Sequence, residues 1–464
     1  MEKTTQVIFP YDLSPIKELP LISKEDIDAI LSTAKKLFDN QADWLPAFQR
    51  IEILEKAASI MNDKTEELIH LAISEGGKPY KDTKAEILRA IKGVKLAAEH
   101  ISQIKGEQIP MGLTEASVNR IAFTSKEPIG VVAAVSAFNH PLNLAVHQIV
   151  TAVAAGCPVV FKPSSSTPLS GLALADILKE AGLPEGWLQV VLCDNEAAEL
   201  LVTDPRVNFL TFIGSAKVGW YLKSKLPPGT RCALEHGGAA PVIVEHDADF
   251  GEMIPDLVKG GFYHAGQVCV SVQKVYVNQE IADRFVEQFS EAVNKLIVGN
   301  PFDQKTDVGS LITPKELNRV EEWVNEAVKE GAKLISGGKR ISNTCFEPTI
   351  LFNPSEDSKV STNEIFGPVV CIYTFTDREE AIKKANALDV HFQAAVFTKN
   401  IDIALETSKK LNATAVMIND NTAFRVDWMP FGGRDASGLG MGGISYTIED
   451  MTREKMTVFK SKSI

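Results

Sequence analysis

What the chain lacks narrows its function before any motif is considered. Its 464 residues hold only six cysteines (157, 193, 232, 269, 345 and 371), with no CxxC pair and no metal-finger spacing. The pattern speaks for reduced, mostly buried thiols in a cytoplasmic protein, and no metal site is expected. Basic residues do not outnumber acidic ones. The formal net charge is −12 and the pI about 5.3, which argues against nucleic-acid or anionic-membrane partners. An apolar secretory segment is missing too, since Met1 to Pro20 is mixed polar and punctuated by proline. The one stretch that mimics a membrane span, Leu142 to Phe161, carries Asn143, His147 and Gln148 and is cut by Gly156-Cys157-Pro158. Neither part reaches the roughly 20 apolar residues a span needs, so it reads as a buried helix followed by a buried strand. Internal repeats, low-complexity tracts and long linkers are also absent.

What is present is ordinary for a soluble globular chain: 45% hydrophobic and 23% charged residues. The length suggests about two or three domains. Residues 24–104 read as helices, with Ile27, Ile30, Leu31, Ala34 and Leu37, then Ile53, Leu54, Ala57, Ala58 and Met61, at helical spacing. From Gly130 apolar strands alternate with amphipathic helices. Strands at 131–135, 159–161, 188–192 and 207–213 enclose helices at 142–155, 169–181, 196–202 and 217–226. A second series follows Glu235: 242–244, 250–263, 272–277, 281–296, 323–330, 369–375, 394–397, 403–411 and 415–418. This βαβ rhythm predicts two successive doubly wound α/β domains with Glu235 at the join. Residues 111–126 and 456–460 are polar and β-leaning, which fits either a separate pairing module or a surface hairpin and a frayed tail.

Three residues carry chemistry if they meet. Cys269, in Gly266-Gln267-Val268-Cys269, is approached through small residues that leave room beside the sulfur. A lone cysteine is more often structural than reactive, and a nucleophilic one needs a lowered pKa or a nearby base. Glu235 ends a strand-like segment before Gly237-Gly238, which would place its carboxylate at the mouth of a sheet; alternatively it is a solvated strand-end acid. Asn139, before Pro141, is either a turn residue or an amide able to donate to a developing oxyanion. Together they would supply a nucleophile, a water-activating base and an oxyanion donor. Phosphate recognition is less explicit, because no GxGxxG occurs. The turn Gly214-Ser215-Ala216-Lys217-Val218-Gly219 follows a strand and opens a helix, where backbone amides can meet a phosphate. Lys162 closes the strand Val159-Val160-Phe161, the end at which doubly wound sheets bind ligands.

Eight strings in order make the chain resemble the aldehyde dehydrogenase superfamily from about Ile27 onward. They are Glu127-Pro128-Ile129-Gly130-Val131, Phe138-Asn139-His140-Pro141-Leu142, Phe161-Lys162-Pro163-Ser164 and Phe212-Ile213-Gly214-Ser215, followed by Leu234-Glu235-His236-Gly237-Gly238, Gly266-Gln267-Val268-Cys269, Glu364-Ile365-Phe366-Gly367-Pro368 and Pro430-Phe431-Gly432-Gly433. The resemblance implies an α/β fold with two Rossmann-like domains and a small β oligomerisation module. Its expected partition is 1–107 and 128–236 for a cofactor-binding domain, 237–437 for a catalytic domain, and 108–127 with 438–464 for the module of a homodimer or homotetramer. It also implies that Cys269 attacks an aldehyde, that Asn139 and the Cys269 N–H hold the oxyanion, and that Glu235 activates water against the thioester. NAD or NADP would be held by Phe138, Lys162, Ser165, Gly214, Ser215, Gly219, Glu364 and Phe366.

Two departures from the family pattern matter. Ser165 stands where many NAD-preferring members carry Glu, so nothing there would repel a 2′-phosphate and NADP becomes plausible. Gly440-Met441-Gly442 replaces an Arg-Glu pair, removing an acid sometimes assigned to proton relay. Arg89, His140 and Arg425, the last in Phe424-Arg425-Val426-Asp427, are similar to the branch acting on lactaldehyde-like and phosphonoacetaldehyde-like substrates. Arginine forks suit anionic groups, although Arg89 also reads as a helix-surface charge and Arg425 as an interdomain ion pair. A small anionic or hydroxylated aldehyde is the expected substrate. CoA-acylating relatives usually lack the acid at the Glu235 position, which favours hydrolysis here. A non-catalytic protein retaining the fold is the remaining alternative.

Overall fold

The computed structural model describes residues 3–463. Two sheets dominate it. In the first, the parallel strands Arg231–Glu235, Val207–Ile213, Val131–Val135, Val159–Lys162 and Leu188–Val190 lie side by side in that order. The order reverses at Val131–Val135, the earliest of the five, and such a reversal opens a crevice beyond the carboxyl ends of the adjoining strands. The second sheet runs Lys333–Ser336, Thr349–Phe352, Val369–Phe375, Val272–Asn278, Ala240–Val244, Gln393–Phe397 and Ala415–Ile418, parallel except for its first strand. The apolar runs read from the sequence are the buried strands: Val131 to Ala134 and Val159 to Phe161 are fully buried, as sheets covered on both faces require.

Local chemistry explains where the helices begin. Ser23 and Asp26 form a capping box for Lys24–Asp39, whose Ile27, Leu31, Ala34 and Phe38 face the core. The helix expected at 323–330 starts much earlier, at Pro314, because Thr313 accepts from the Glu316 N–H and proline fits the first helical turn. The helix expected at 142–155 is interrupted by a π-helical turn, Val146–Val150, a feature that recurs at functional sites. Among the described residues no helix is long and apolar enough to cross a membrane.

Two segments differ from expectation. Thr4–Ile8 and Pro15–Pro20 form an antiparallel hairpin within a stretch that shows no strand pattern. Residues Gly438–Leu439 pair with Leu234–Glu235 at the edge of the first sheet, not with the small one. The small sheet itself is antiparallel: Thr452–Lys460 pairs along its whole length with Arg120–Pro128, which also pairs with Gln108–Ile109. The two β-leaning pieces are thus partners, and residues 456–460 are a paired strand.

Candidate active site

A cavity of about 730 Å³ opens between the sheets and is lined by Asn139, Glu235 and Cys269 together. The topology brings them there. Strand Arg231–Glu235 ends on Glu235, and five residues later the chain enters the second sheet at Ala240. The carboxyl ends of the first sheet therefore face the amino ends of the second, and Cys269 lies just before one of these, at Val272.

The loop that presents the thiol is held rigidly. His264 and Ala265 adopt left-handed backbone (φ 49° and 53°), a strained state for residues with a Cβ. Gly266 follows at φ 70°, where an added Cβ would meet the Gly367 carbonyl at 2.0 Å. The Asp82 carboxylate accepts from the His264 N–H at 3.2 Å. Gln267 does the rest: its Nε2 donates to the carbonyls of Ser310 (3.1 Å) and His264 (3.3 Å), and its Oε1 accepts from the Ile312 N–H at 2.9 Å. The Gln267 carbonyl accepts from Asn139 Nδ2 at 3.0 Å, so the amide is oriented by the segment that carries the thiol. Gln267 is a positioning residue to which sequence reasoning gave no role, although it stands in the quoted motif.

Electrostatics set the resting state. Burial, and next the neighbouring Glu235, push the Cys269 thiol well above its usual range, while Arg425 opposes them. Burial likewise raises Glu235, again against Arg425. Each shift favours the neutral form of its group relative to the same group in water.

The residues expected around a cofactor divide into two sets. Phe138, Gly214, Ser215, Glu364 and Phe366 line the cavity. Phe138 and Phe366 meet edge to face at 5.8 Å. Burial raises Glu364 to about 8, and its Oε1 has no hydrogen-bond partner. It lies across Gly237, where any Cβ would fall 1.7 Å from that oxygen. Ser215 caps the helix Ala216–Lys225 without using its side chain, which leaves the hydroxyl free. Lys162, Ser165 and Gly219 do not line the cavity. Lys162 is buried and donates to the Pro163 carbonyl at 3.2 Å, Ser165 is exposed, and Gly219 gives room to His236, which a Cβ would meet at 2.0 Å. Among the described residues no cluster suits a metal ion.

At the other end of the cavity stand Arg89, His140 and Arg425, and the structure distributes their roles unevenly. Arg89 is an ion-paired side chain, not a free helix-surface charge: its Nε and Nη2 bind the Asp427 carboxylate at 3.1 and 2.7 Å. Arg425 is buried with its guanidinium 3.5 Å from the Phe431 ring centre. Its Nε has no partner and lies 4.0 Å from Asp427, too far for a hydrogen bond. His140 brings no charge. Burial first, then Lys78, His264, Arg89 and Arg425, drive it well below the ordinary histidine range, and its Nε2 meets the Tyr263 hydroxyl at 3.0 Å. Asp427 and Tyr263, which sequence reasoning assigned no role, are the partners that organise this end. The one available signal was an acid two residues beyond Arg425.

The model of the aldehyde dehydrogenase family matches residues 1–457. The chain is 40% identical over 455 residues to the 3-sulfolactaldehyde dehydrogenase of Priestia aryabhattai, covering 98% of this chain and 94% of the relative. It is also 40% identical over 461 residues to the lactaldehyde dehydrogenase of Methanocaldococcus jannaschii, covering 98% and 97%. Among solved structures, the glyceraldehyde-3-phosphate dehydrogenase of Methanocaldococcus jannaschii complexed with NADP superposes with a TM-score of 0.94 at 38% identity, over 99% of this chain and all of that one.

Proposed function

The chain belongs to the aldehyde dehydrogenase family, and from that premise we propose a division of labour for its oxidation of a small aldehyde to the acid. The carrying observation is the single cavity that holds Cys269, Asn139 and Glu235. Cys269 adds to the aldehyde carbonyl as the thiolate, its proton having passed to solvent through the open cavity. The oxyanion that forms is met by the Asn139 amide, already oriented by the Gln267 carbonyl, and by the Cys269 backbone N–H. Such donors are worth about 10²–10³ in rate. NAD or NADP, when bound, supplies the hydride acceptor. Glu235 then takes a proton from water as that water attacks the thioester, releasing the acid and restoring the thiol.

The cavity suits a dinucleotide. Ser215 and the helix N-terminus behind it would meet phosphate, the unpartnered Glu364 oxygen would meet a ribose hydroxyl, and Phe138 with Phe366 would flank the ring. Lys162 and Ser165 would lie toward the adenosine ribose, where the absence of a carboxylate admits a 2′-phosphate. The six-stranded sheet would carry the cofactor and the seven-stranded sheet the thiol. The three-stranded sheet exposes Ile121, Phe123 and Phe459 on one face and Met456 and Val458 on the other, apolar surface that suits a homodimer or homotetramer. The free thiols fit the reducing cytoplasm.

The substrate is a short aldehyde bearing an anionic or hydroxyl group, bound by Arg425 with Arg89 and His140. Assay of the purified protein on short aldehydes, with NAD or NADP and with or without CoA, tests the reading. Acid formation independent of CoA is expected. CoA-dependent acyl-CoA formation, or no turnover with either cofactor, overturns it.

A further inference from the structure

Asp427 is a hub. Besides both Arg89 contacts it accepts from His147 Nε2 at 2.8 Å and lies 3.4 Å from Asn143 Nδ2. Burial would raise its carboxyl, but these donors outweigh burial and hold it well below the usual range, so it stays ionised. His147, driven down to about 4 by burial, is a neutral donor. The nearby Lys78 is spent on Glu86, which also accepts from the Leu142 and Asn143 N–H groups. The cluster around Asp427 therefore holds two guanidiniums and one permanent carboxylate, while Asp256, Lys259 and Asp420 line the cavity beyond it. Arg89 is consumed by that carboxylate, and Arg425 keeps a buried, unpartnered Nε. Glu235 faces Arg425 from the reacting end, and it does so identically for every substrate.

We propose that Asp427 is a specificity-determining positioning residue. By cancelling one of two arginine charges, it tunes the cavity to aldehydes whose far end carries a single negative charge, a carboxylate or sulfonate, over dianionic phosphates and over neutral hydroxyl groups. A monoanion balances the charge of the cluster formed by Arg89, Arg425 and Asp427. A dianion adds one negative charge beyond that balance, and a neutral group leaves the Arg425 Nε without a hydrogen-bond partner; both are costly where water is excluded. The inference rests on the functional reading above and adds to it the charge class of the substrate and the residue that sets it.

The experiment compares kcat/KM of the full-length protein for four short aldehydes ending in carboxylate, sulfonate, phosphate and hydroxyl. It uses wild type, D427N, R89Q and the double variant R89Q/D427N. Wild type should favour the two monoanions. D427N should raise the phosphate-to-monoanion ratio at least about 10-fold, mainly through KM, as expected for one charged contact. R89Q should instead erode the preference for monoanions over the hydroxyl aldehyde, and the double variant should return both ratios toward wild type. A wild type that oxidises none of the four overturns the functional reading itself, whereas one that oxidises them but prefers the hydroxyl aldehyde or the phosphate overturns the charge assignment. A wild type that prefers monoanions while D427N leaves the ratios unchanged, or weakens all four substrates equally, overturns the assignment to Asp427 alone. Should D427N fail to fold, R89Q decides: an undiminished monoanion preference refutes the charge count.

Discussion

The two ends of the cavity hold their polar groups by opposite means. At the reacting end the work is done by backbone: strained His264 and Ala265, a glycine against the Gly367 carbonyl, and three hydrogen bonds between the Gln267 side chain and main-chain groups. At the head-group end it is done by charge, with Asp427 tying Arg89 and His147 and leaving Arg425 unspent. The difference teaches where each can change. A backbone-built site tolerates little alteration but serves any aldehyde. A charge-built site can be re-tuned by one substitution without moving the thiol.

The comparison is broken most severely at the sulfur. Replacing Cys269 with alanine should lower turnover on the order of 10⁴-fold or more, with cofactor binding by calorimetry unchanged; residual oxidation near the wild-type rate would remove Cys269 as nucleophile. Next comes Glu235→Gln, expected to keep the first-turnover burst of reduced cofactor while slowing steady-state turnover by about 10²–10⁴-fold. Because burial raises Glu235, its active, ionised form accumulates only as pH rises above the ordinary carboxylate range. The acid limb of the wild-type kcat profile should therefore lie above pH 4.5 and vanish in the glutamine variant; an unchanged limb would assign it elsewhere.

At the charged end the effects should be smaller and selective. Arg425→Met should raise KM for anionic aldehydes by about 10- to 100-fold, the worth of a hydrogen bond to a charged group, and leave KM for neutral ones nearly unaffected, while kcat falls for both because Cys269 and Glu235 lose the neighbouring positive charge. An equal rise in KM for both would erase the contrast between the ends. Gln267→Ala sharpens it from the other side. It strips partners from buried main-chain groups and should cost about 1–3 kcal/mol in urea unfolding. It should lower kcat for charged and neutral aldehydes alike, and a charge-dependent loss would show that the reacting end also reads the head group.

Legibility followed the range of the interactions. Strands Val131–Val135, Val207–Ile213, Val369–Phe375 and Ala415–Ile418 and helix Leu169–Ala181 match the sequence-based bounds, because apolar alternation and a terminal glycine are local signals. The N-terminal hairpin was not legible, since Thr4–Ile8 and Pro15–Pro20 are largely exposed and carry little apolar pattern. The start of Pro314–Lys329 was missed because its first turns are polar and only the Thr313 cap marks them.

The sequence by itself determined the inventory: a thiol after a small-residue approach, an acid at a strand end, an amide before a proline, and three basic side chains. Periodicity and turn chemistry act over a few residues, so the elements bearing them were readable as well. Which charges are spent is another matter. Arg89 and Asp427 are 338 residues apart, and His147 and Asp427 are 280 apart; no local pattern links them. Only the tertiary structure decided that Arg89 hydrogen-bonds Asp427 and that the Arg425 Nε does not, because the free energy of a buried charge depends on the partners that packing brings within hydrogen-bond reach.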